Sequence, residues 1–167
     1  MTQTTPAAII SPCGLYRYRL SRSWANGAHL TFIMLNPSTA DANVDDPTIR
    51  RCMGFARREG VSGIHVVNLF AFRATKPEDM ANAVDPEGPE NARYLAEAAE
   101  LASHSGLPLV CAWGAHWMAS DRAESVVRGI GCHASLSCLG TTKSGAPRHP
   151  LYVKGNAPLV PFGEPRT

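Results

Sequence analysis

Four apolar runs alternate along this chain with segments of helical periodicity, and this alternation restricts the possible folds more than any other feature. The runs that can form buried strands are HLTFIML (29–35), GIHVVNLF (63–70), LPLVCAW (107–113) and CHASLSCL (132–139). Strands that alternate with helices predict a parallel sheet with right-handed crossovers and helices on both faces. We therefore expect an α/β fold, a three-layer sandwich with a central, mostly parallel four-stranded sheet, preceded by a short edge strand at LYRYRL (15–20).

The composition fits one globular domain. The chain has 167 residues, of which 44% are apolar and 18% charged, with a formal net charge of +2. We expect a single domain over residues 1–167, with the Pro/Gly-rich segment from about 156 as a loosely held C-terminal arm. The chain start lacks the pattern of a secretory signal, and no run approaches the ~20 apolar residues of a membrane helix. We expect a cytoplasmic protein with no membrane partner.

The five cysteines do not fit a disulfide framework or an iron–sulfur cluster, because they are odd in number and include no CxxC pair. Cys132, His133 and Cys138 resemble half of a zinc site, but no second half follows at a suitable spacing. We predict reduced thiols, no metal site and no cofactor.

Polar or aromatic side chains lie where the predicted strands end. Pro37 disfavours a helical backbone at Asn36 and keeps it extended at the end of the first strand. Asn68 lies near the end of the second strand, Trp113 closes the third, and His149 follows the fourth. Ligands bind beyond the carboxyl ends of the strands in open parallel sheets. Two amides, an indole and an imidazole at this edge can grip a flat, hydrogen-bonding ring.

Each of these residues also has a purely structural interpretation. Asn36 can bond turn amides, and Asn68 can cap the next segment. Trp113 can belong to the core, and His149 can lie on the surface. Their joint placement at one edge of the sheet favours a binding site over four separate structural roles.

The ordered motifs MLNPSTAD, VVNLFAFRAT, VCAWGAH and RHPLY resemble those of the uracil-DNA glycosylase superfamily over nearly the whole chain. The resemblance is closer still to an uncharacterised bacterial and phage family of unknown function that shares LNPSTAD, NLFAFRAT and HPLY. It implies a glycosylase-like fold and hydrolysis of an N-glycosidic bond. The sequence departs from the superfamily pattern in lacking the glycine before Asn36, in lacking the stacking aromatic after that motif, and in having HPLY in place of His-Pro-Ser.

The resemblance implies a role for individual residues. Asn36 matches the residue that positions the attacking water, and Asn68 matches the amide that reads the base edge. His149 matches the imidazole that faces the negative charge developing on the departing base. Arg73 matches an arginine that often follows the second motif.

Further side chains near these motifs complete the predicted site. We expect Phe70 or Phe72 to stack on the base, with Tyr152 nearby. Lys143 and Arg148 lie close to His149 of the RHPLY motif (148–152), where they can bind phosphates.

The loop after the first strand offers alternatives for the chemistry. Asp41 is a candidate catalytic residue, because a carboxylate activates water more strongly than an amide. Asp46 before Pro47 is typical of a helix cap, and Asp45 is interpreted as a solvated loop charge. Ser38 and Thr39, followed by a helix start, can instead hold a phosphate.

Three functions fit these patterns. The first is a nucleobase-recognising enzyme, an N-glycosylase-like hydrolase that acts on a modified or damaged base in DNA, single- or double-stranded. The second is a non-catalytic protein that senses a base in a nucleic acid or nucleotide. The third is an enzyme that acts on free nucleotides, which the modest net charge and the lack of an evident intercalating wedge permit. The sequence does not indicate an oligomeric state.

Overall fold

A computed structural model describes residues 3–38 and 42–163 of the chain. These residues form seven strands, four α-helices and a 3₁₀ turn at Pro150–Tyr152. In chain order the elements are β1 (Thr5–Ile10), β2 (Arg17–Ser23), β3 (His29–Met34), α1 (Pro47–Arg58), β4 (Gly63–Asn68), α2 (Pro77–Ala81), α3 (Asn91–Ser105), β5 (Leu109–Cys111), α4 (Ala119–Ile130), β6 (Leu136–Cys138) and β7 (Val160–Pro161). The predicted α/β class is confirmed.

All seven described strands join one mixed sheet in the order β1-β2-β4-β3-β5-β6-β7. The four predicted strands lie at its centre, where β4, β3, β5 and β6 run parallel to one another. β2 pairs antiparallel with β4, β1 pairs antiparallel with β2, and β7 pairs antiparallel with β6. The sheet therefore has more strands than the four that we expected. The sequence patterns did not reveal β1 and β7, the antiparallel strands at its two edges.

The segment predicted as an N-terminal edge strand is β2, and it is not at the edge. β1 covers one side of β2, while β4 pairs with its other side. Both sides of β2 form hydrogen bonds and most of its side chains are buried, including those of Arg17 and Arg22. Because β2 runs antiparallel to β4, Arg17 at its start lies near the carboxyl end of β4.

Helix α1 forms where the cap pattern predicted it. The Asp46 side chain accepts a hydrogen bond from Ile49 N over 2.8 Å, and Pro47 occupies the first helical position, which has no need of an N–H donor. Ile49, Cys52 and Phe55 form its buried face. They pack with one face of the sheet, including Phe32 and Met34 of β3.

The opposite face of the sheet is covered by α3 and α4. Leu95 and Ala99 of α3 and Val126 of α4 share a core cluster with Ile33 of β3. Successive residues of β3 thus point to different helical layers, as the alternation of side chains along a strand requires. Helices therefore cover both faces, as predicted.

The C-terminal segment is attached as far as residue 163. β7 pairs with β6, Phe162 N donates to Leu136 O over 3.0 Å, and Leu159 packs against the α1 side of the core. Backbone pairing and apolar contacts thus connect residues 159–162 to the rest of the fold.

None of the described helices combines the length and the hydrophobicity needed to span a membrane. The five cysteines all lie among the described residues and are free thiols. Within residues 3–38 and 42–163, no three His, Cys, Asp or Glu side chains are grouped as metal ligands.

Candidate functional site

A cavity of about 380 Å³ opens where the carboxyl ends of β3 and β4 meet the loop that follows β6, and we call it the strand-end pocket. Backbone bonds hold these ends together: Leu69 N donates to Met34 O over 2.9 Å, and Gly114 N donates to Pro147 O over 3.0 Å. The residues that line the pocket are Arg17, Met34, Leu35, Asn36, Ser38, Asp46, Thr48, Ile49, Val66, Asn68, Ala74, Thr75, Pro77, Trp113, His149, Leu151 and Tyr152.

A larger hollow of about 890 Å³ lies at the other edge of the sheet, lined by Leu107, Cys132 and Phe162 among others. It is formed at the amino ends of β5 and β6, away from the strand ends that carry the predicted site. The smaller strand-end pocket is the better candidate, because it gathers amide, imidazole, carboxylate and guanidinium groups in one space.

Asn68 is a buried amide in the strand-end pocket. It is the last residue of β4 and is only 2% exposed. Its backbone carbonyl accepts a hydrogen bond from Asn91 Nδ2 over 2.9 Å, but no described residue bonds its side chain. Buried polar groups are normally paired, so an amide left without a protein partner in a cavity is available to a ligand.

Asn36 is held by two backbone carbonyls. Its Nδ2 donates to Ala74 O over 2.9 Å and to Pro37 O over 3.1 Å. These two acceptors assign the orientation of the amide, because only the nitrogen can donate. The Oδ1 atom has no donor among the described residues and is left as an acceptor at the pocket wall.

His149 is a neutral imidazole with a defined proton position. Its Nδ1 accepts a hydrogen bond from Leu151 N over 3.2 Å, which places the ring proton on Nε2. Burial lowers the pKa of His149, while the negative charge of Asp46 opposes that shift. At neutral pH the residue therefore presents an Nε2–H donor at the pocket.

Arg17 is a buried cation that sequence reasoning did not assign to the site. Its backbone N donates to Ala71 O over 3.0 Å, at the start of β2. Burial, followed by repulsion from Arg73, lowers the pKa of Arg17 to about 10, while Asp46 opposes the shift. Because this value is far above neutral pH, the pocket contains a permanent positive charge.

Asp46 is both the cap of α1 and a residue of the pocket. Its Oδ1 accepts from Ile49 N over 2.8 Å, and its Oδ2 accepts from Ser38 Oγ over 3.3 Å. The cap prediction is therefore correct but incomplete. The Asp46 carboxylate also argues against phosphate binding by Ser38 at the start of α1. It already accepts a hydrogen bond from Ile49 N, and its negative charge would repel an anion.

The two other predicted loop residues, Thr39 and Asp41, lie outside the described residues. Asp45, which we interpreted as a solvated loop charge, instead forms an ion pair with Arg22 over 2.7 Å. The Arg22 side chain is nearly inaccessible, so this carboxylate balances a buried charge.

Trp113 and Tyr152 both line the pocket, but Trp113 is buried and Tyr152 is largely exposed to solvent. Trp113 is buried in the core and packs edge-on against Phe162, with ring centroids 5.7 Å apart, while also lining the pocket. Tyr152 is 78% exposed and contacts the ring of His149 at a centroid distance of 5.6 Å. Trp113 therefore has a structural role beside its place in the pocket wall, and Tyr152 belongs to the rim.

Five predicted binding residues do not line the strand-end pocket. Phe70 is buried in the core, and Phe72 packs edge-on against Tyr16. The Arg73 guanidinium donates to Gly14 O over 3.1 Å. Lys143 and Arg148 are exposed, and Arg148 Nε donates to Thr141 O over 3.0 Å. The structure does not place either Phe70 or Phe72 where it can stack on a base in this pocket.

Two arginines of α1 hold the segment that carries His149. Arg51 donates to the carbonyl oxygens of Pro150 and Val153, and Arg58 donates to those of Gly155 and Ala157. Both guanidinium groups also lie over the ring of Phe55. Arg51 and Arg58 thus hold the segment that follows His149 against α1.

Comparison with models of known protein families gives a match. The family model described as "Protein of unknown function (DUF1643)" matches residues 17–151. This range begins at Arg17 and contains every residue that lines the strand-end pocket except Tyr152. No curated protein and no solved structure matches the chain.

Proposed function

This chain belongs to the DUF1643 family of proteins of unknown function, and we propose that its strand-end pocket binds a nucleobase whose N-glycosidic bond the protein hydrolyses. The substrate is a modified or damaged base in DNA. The observation that carries the proposal is the side chain of Asn68, buried in the pocket and without a described protein partner.

The Asn68 amide suits the edge of a base. A primary amide presents a donor and an acceptor side by side, and a nucleobase edge presents the complementary pair. Leaving such a group unpaired in the interior costs about 1–3 kcal/mol, and a bound base would remove that cost. The cavity volume of about 380 Å³ is in the range of small-ligand sites.

His149 and Asn36 support a hydrolytic reaction. The Nε2–H of neutral His149 can donate to a base oxygen as negative charge develops there, a role like that of an oxyanion-hole donor. The free Oδ1 of Asn36 can accept a hydrogen bond from water, because its Nδ2 is fixed by two backbone carbonyls. The motif resemblance to the uracil-DNA glycosylase superfamily favours the same reaction.

The rim of the pocket favours a polymer over a free nucleotide. Leu151 is 40% exposed and Tyr152 is 78% exposed, and both belong to the 3₁₀ turn that follows His149. Exposed apolar side chains at the mouth can occupy the space left in a base stack when a nucleotide is extruded. Lys143 and Arg148 lie on the preceding loop, where they can contact the phosphate backbone.

The test is a base-release assay on single- and double-stranded oligonucleotides that carry a panel of modified bases. His149→Asn is the informative variant, because Asn can accept from Leu151 N as the ring does but cannot present the Nε2–H donor. We expect release to fall about 100-fold or more with little change in binding. Release unchanged in His149→Asn would contradict the assigned role.

A second candidate function is base sensing without cleavage. It is favoured by the Asn36 geometry, in which both amide protons bond the backbone carbonyls of Pro37 and Ala74 as a structural support would. In that case the same oligonucleotides bind, no base is released, and His149→Asn leaves binding unchanged.

A further inference from the structure

Asp46 is the acidic side chain among the described residues that line the strand-end pocket. Its Oδ1 caps α1 through Ile49 N, and its Oδ2 accepts one long hydrogen bond, 3.3 Å, from Ser38 Oγ. A carboxylate oxygen can accept more than one hydrogen bond. Oδ2 therefore keeps the capacity to bind a water in the cavity.

The neighbouring polar groups of the pocket cannot take a proton from that water. Asn36 presents an amide oxygen, which is not a base at neutral pH. His149 has its Nδ1 engaged by Leu151 N and its Nε2 protonated. Arg17 is a cation with a pKa of about 10. The Asp46 carboxylate is the group in this set with an oxygen that can take up a proton.

Asp46 is also close to the groups that would surround the substrate. Its charge opposes the lowering of the pKa of Arg17 and of the pKa of His149, and all three side chains line the same pocket. Ser38 ties Oδ2 to the loop that begins at Asn36. The helix cap fixes the remaining oxygen, so the carboxylate is held in one orientation.

We propose that Asp46 is the general base that activates the water, while Asn36 orients it. This inference rests on the proposed function. The water oxygen forms a bond to the anomeric carbon of the sugar, and the bond from that carbon to the base nitrogen breaks. The electron pair of that bond leaves with the base, and the water proton passes to Asp46 Oδ2. His149 stabilises the departing base through Nε2–H.

The variant Asp46→Asn separates catalysis from capping. Asn is as good an N-cap as Asp, so its oxygen can still accept from Ile49 N, but it cannot accept a proton. The matched control is Asp121→Asn, which removes an exposed carboxylate from the first turn of α4, outside the strand-end pocket. We measure base release, binding to a base-containing oligonucleotide and thermal unfolding for the full chain and both variants.

We expect Asp46→Asn to reduce the rate of release by about 100-fold or more, with binding and unfolding temperature close to those of the native protein. Asp121→Asn is expected to release base at the native rate, because Asp121 does not line the pocket. A native protein that releases base while Asp46→Asn does so equally well would overturn this inference alone. A native protein that releases no base from any oligonucleotide would overturn the proposed function and this inference with it.

Discussion

Asn91 Nδ2 donates to the backbone carbonyl of Asn68 over 2.9 Å, and to that of Leu69 over 3.2 Å. The first residue of α3 thereby fixes the end of β4 from which the Asn68 side chain enters the pocket. Asn91 is itself buried, so this connection is shielded from water. The position of the Asn68 amide, which we propose reads the base, therefore depends on the packing of α3 against the sheet.

Asn91→Ala should therefore loosen Asn68 as well as destabilise the fold. Loss of the two buried hydrogen bonds is expected to lower the free energy of unfolding by about 1–3 kcal/mol. Affinity for a base-containing oligonucleotide should fall with it. Urea denaturation and equilibrium binding measure the two effects, with the exposed Asn82→Ala as a control that changes neither. Native affinity in Asn91→Ala would show that this contact does not position Asn68.

Asn36→Asp should destabilise the protein without improving catalysis. A carboxylate cannot donate to the carbonyls of Pro37 and Ala74, and it would repel both. We expect a loss of about 1–3 kcal/mol in the free energy of unfolding, larger than that of Asn36→Ala, as measured in urea. If Asn36→Asp were as stable as the native protein, the two hydrogen bonds of Asn36 would not be supporting the loop.

His29 on β3 and His65 on the neighbouring strand β4 belong to a chain of hydrogen bonds with a defined direction. Ser23 Oγ donates to Ala25 O, so it accepts from His29 Nε2 over 3.3 Å. His29 Nδ1 must then accept from His65 Nε2 over 3.2 Å, and His65 Nδ1 accepts from Ser21 Oγ over 2.7 Å. Both rings are neutral in this arrangement.

Protonation of His65 should make the stability of the protein depend on pH. Burial, followed by repulsion from His29 and Arg19, lowers the pKa of His65 to about 4, whereas the unfolded chain titrates near 6.5. The unfolded state binds the proton more readily, so this contribution is complete above pH ~6.5 and is lost as the pH falls towards about 4.

We expect the unfolding midpoint of the native protein to fall across this pH range, and the fall to be smaller in His65→Gln, which cannot be protonated. Denaturation curves collected between the two values measure the difference. The same pH dependence in both proteins would exclude His65 as the titrating group.

Arg51→Met should release the segment that carries His149. Methionine keeps the apolar contact with Phe55 but cannot donate to the carbonyls of Pro150 and Val153. We expect faster amide hydrogen exchange in residues 150–157 and weaker oligonucleotide binding. Arg128→Met is the control, because Arg128 is exposed and pairs with Glu124 on the surface of α4. Unchanged exchange in Arg51→Met would mean that other contacts hold the segment.

The sequence predicted those parts of the fold and site that depend on local chemistry. Asp46 and Pro47 define the start of α1 through capping. β3 itself ends at Met34, two residues before Asn36. Apolar runs were enough to place the four parallel strands. Asn36, Asn68, Trp113 and His149 do line one pocket.

The parts that were missed depend on contacts between distant segments. Arg17 reaches the pocket because its strand, β2, pairs antiparallel with β4. β2 is not an edge strand, because β1 pairs with its other side. The alternation of Tyr and Arg in YRYRL was the available signal, since a charged residue on an inward face needs a partner or a ligand. The two residues of β7 are too few to form a recognisable pattern.

Asn68→Leu tests whether the buried amide of the strand-end pocket recognises a base. Leucine fills a similar volume without polar atoms, so it removes the base-reading amide together with the cost of burying it unpaired. We expect the variant to be as stable as the native protein, or more stable by up to about 1–3 kcal/mol, and to bind an oligonucleotide carrying the recognised base no longer. A variant that is destabilised yet binds with native affinity would show that the Asn68 amide does not recognise the base.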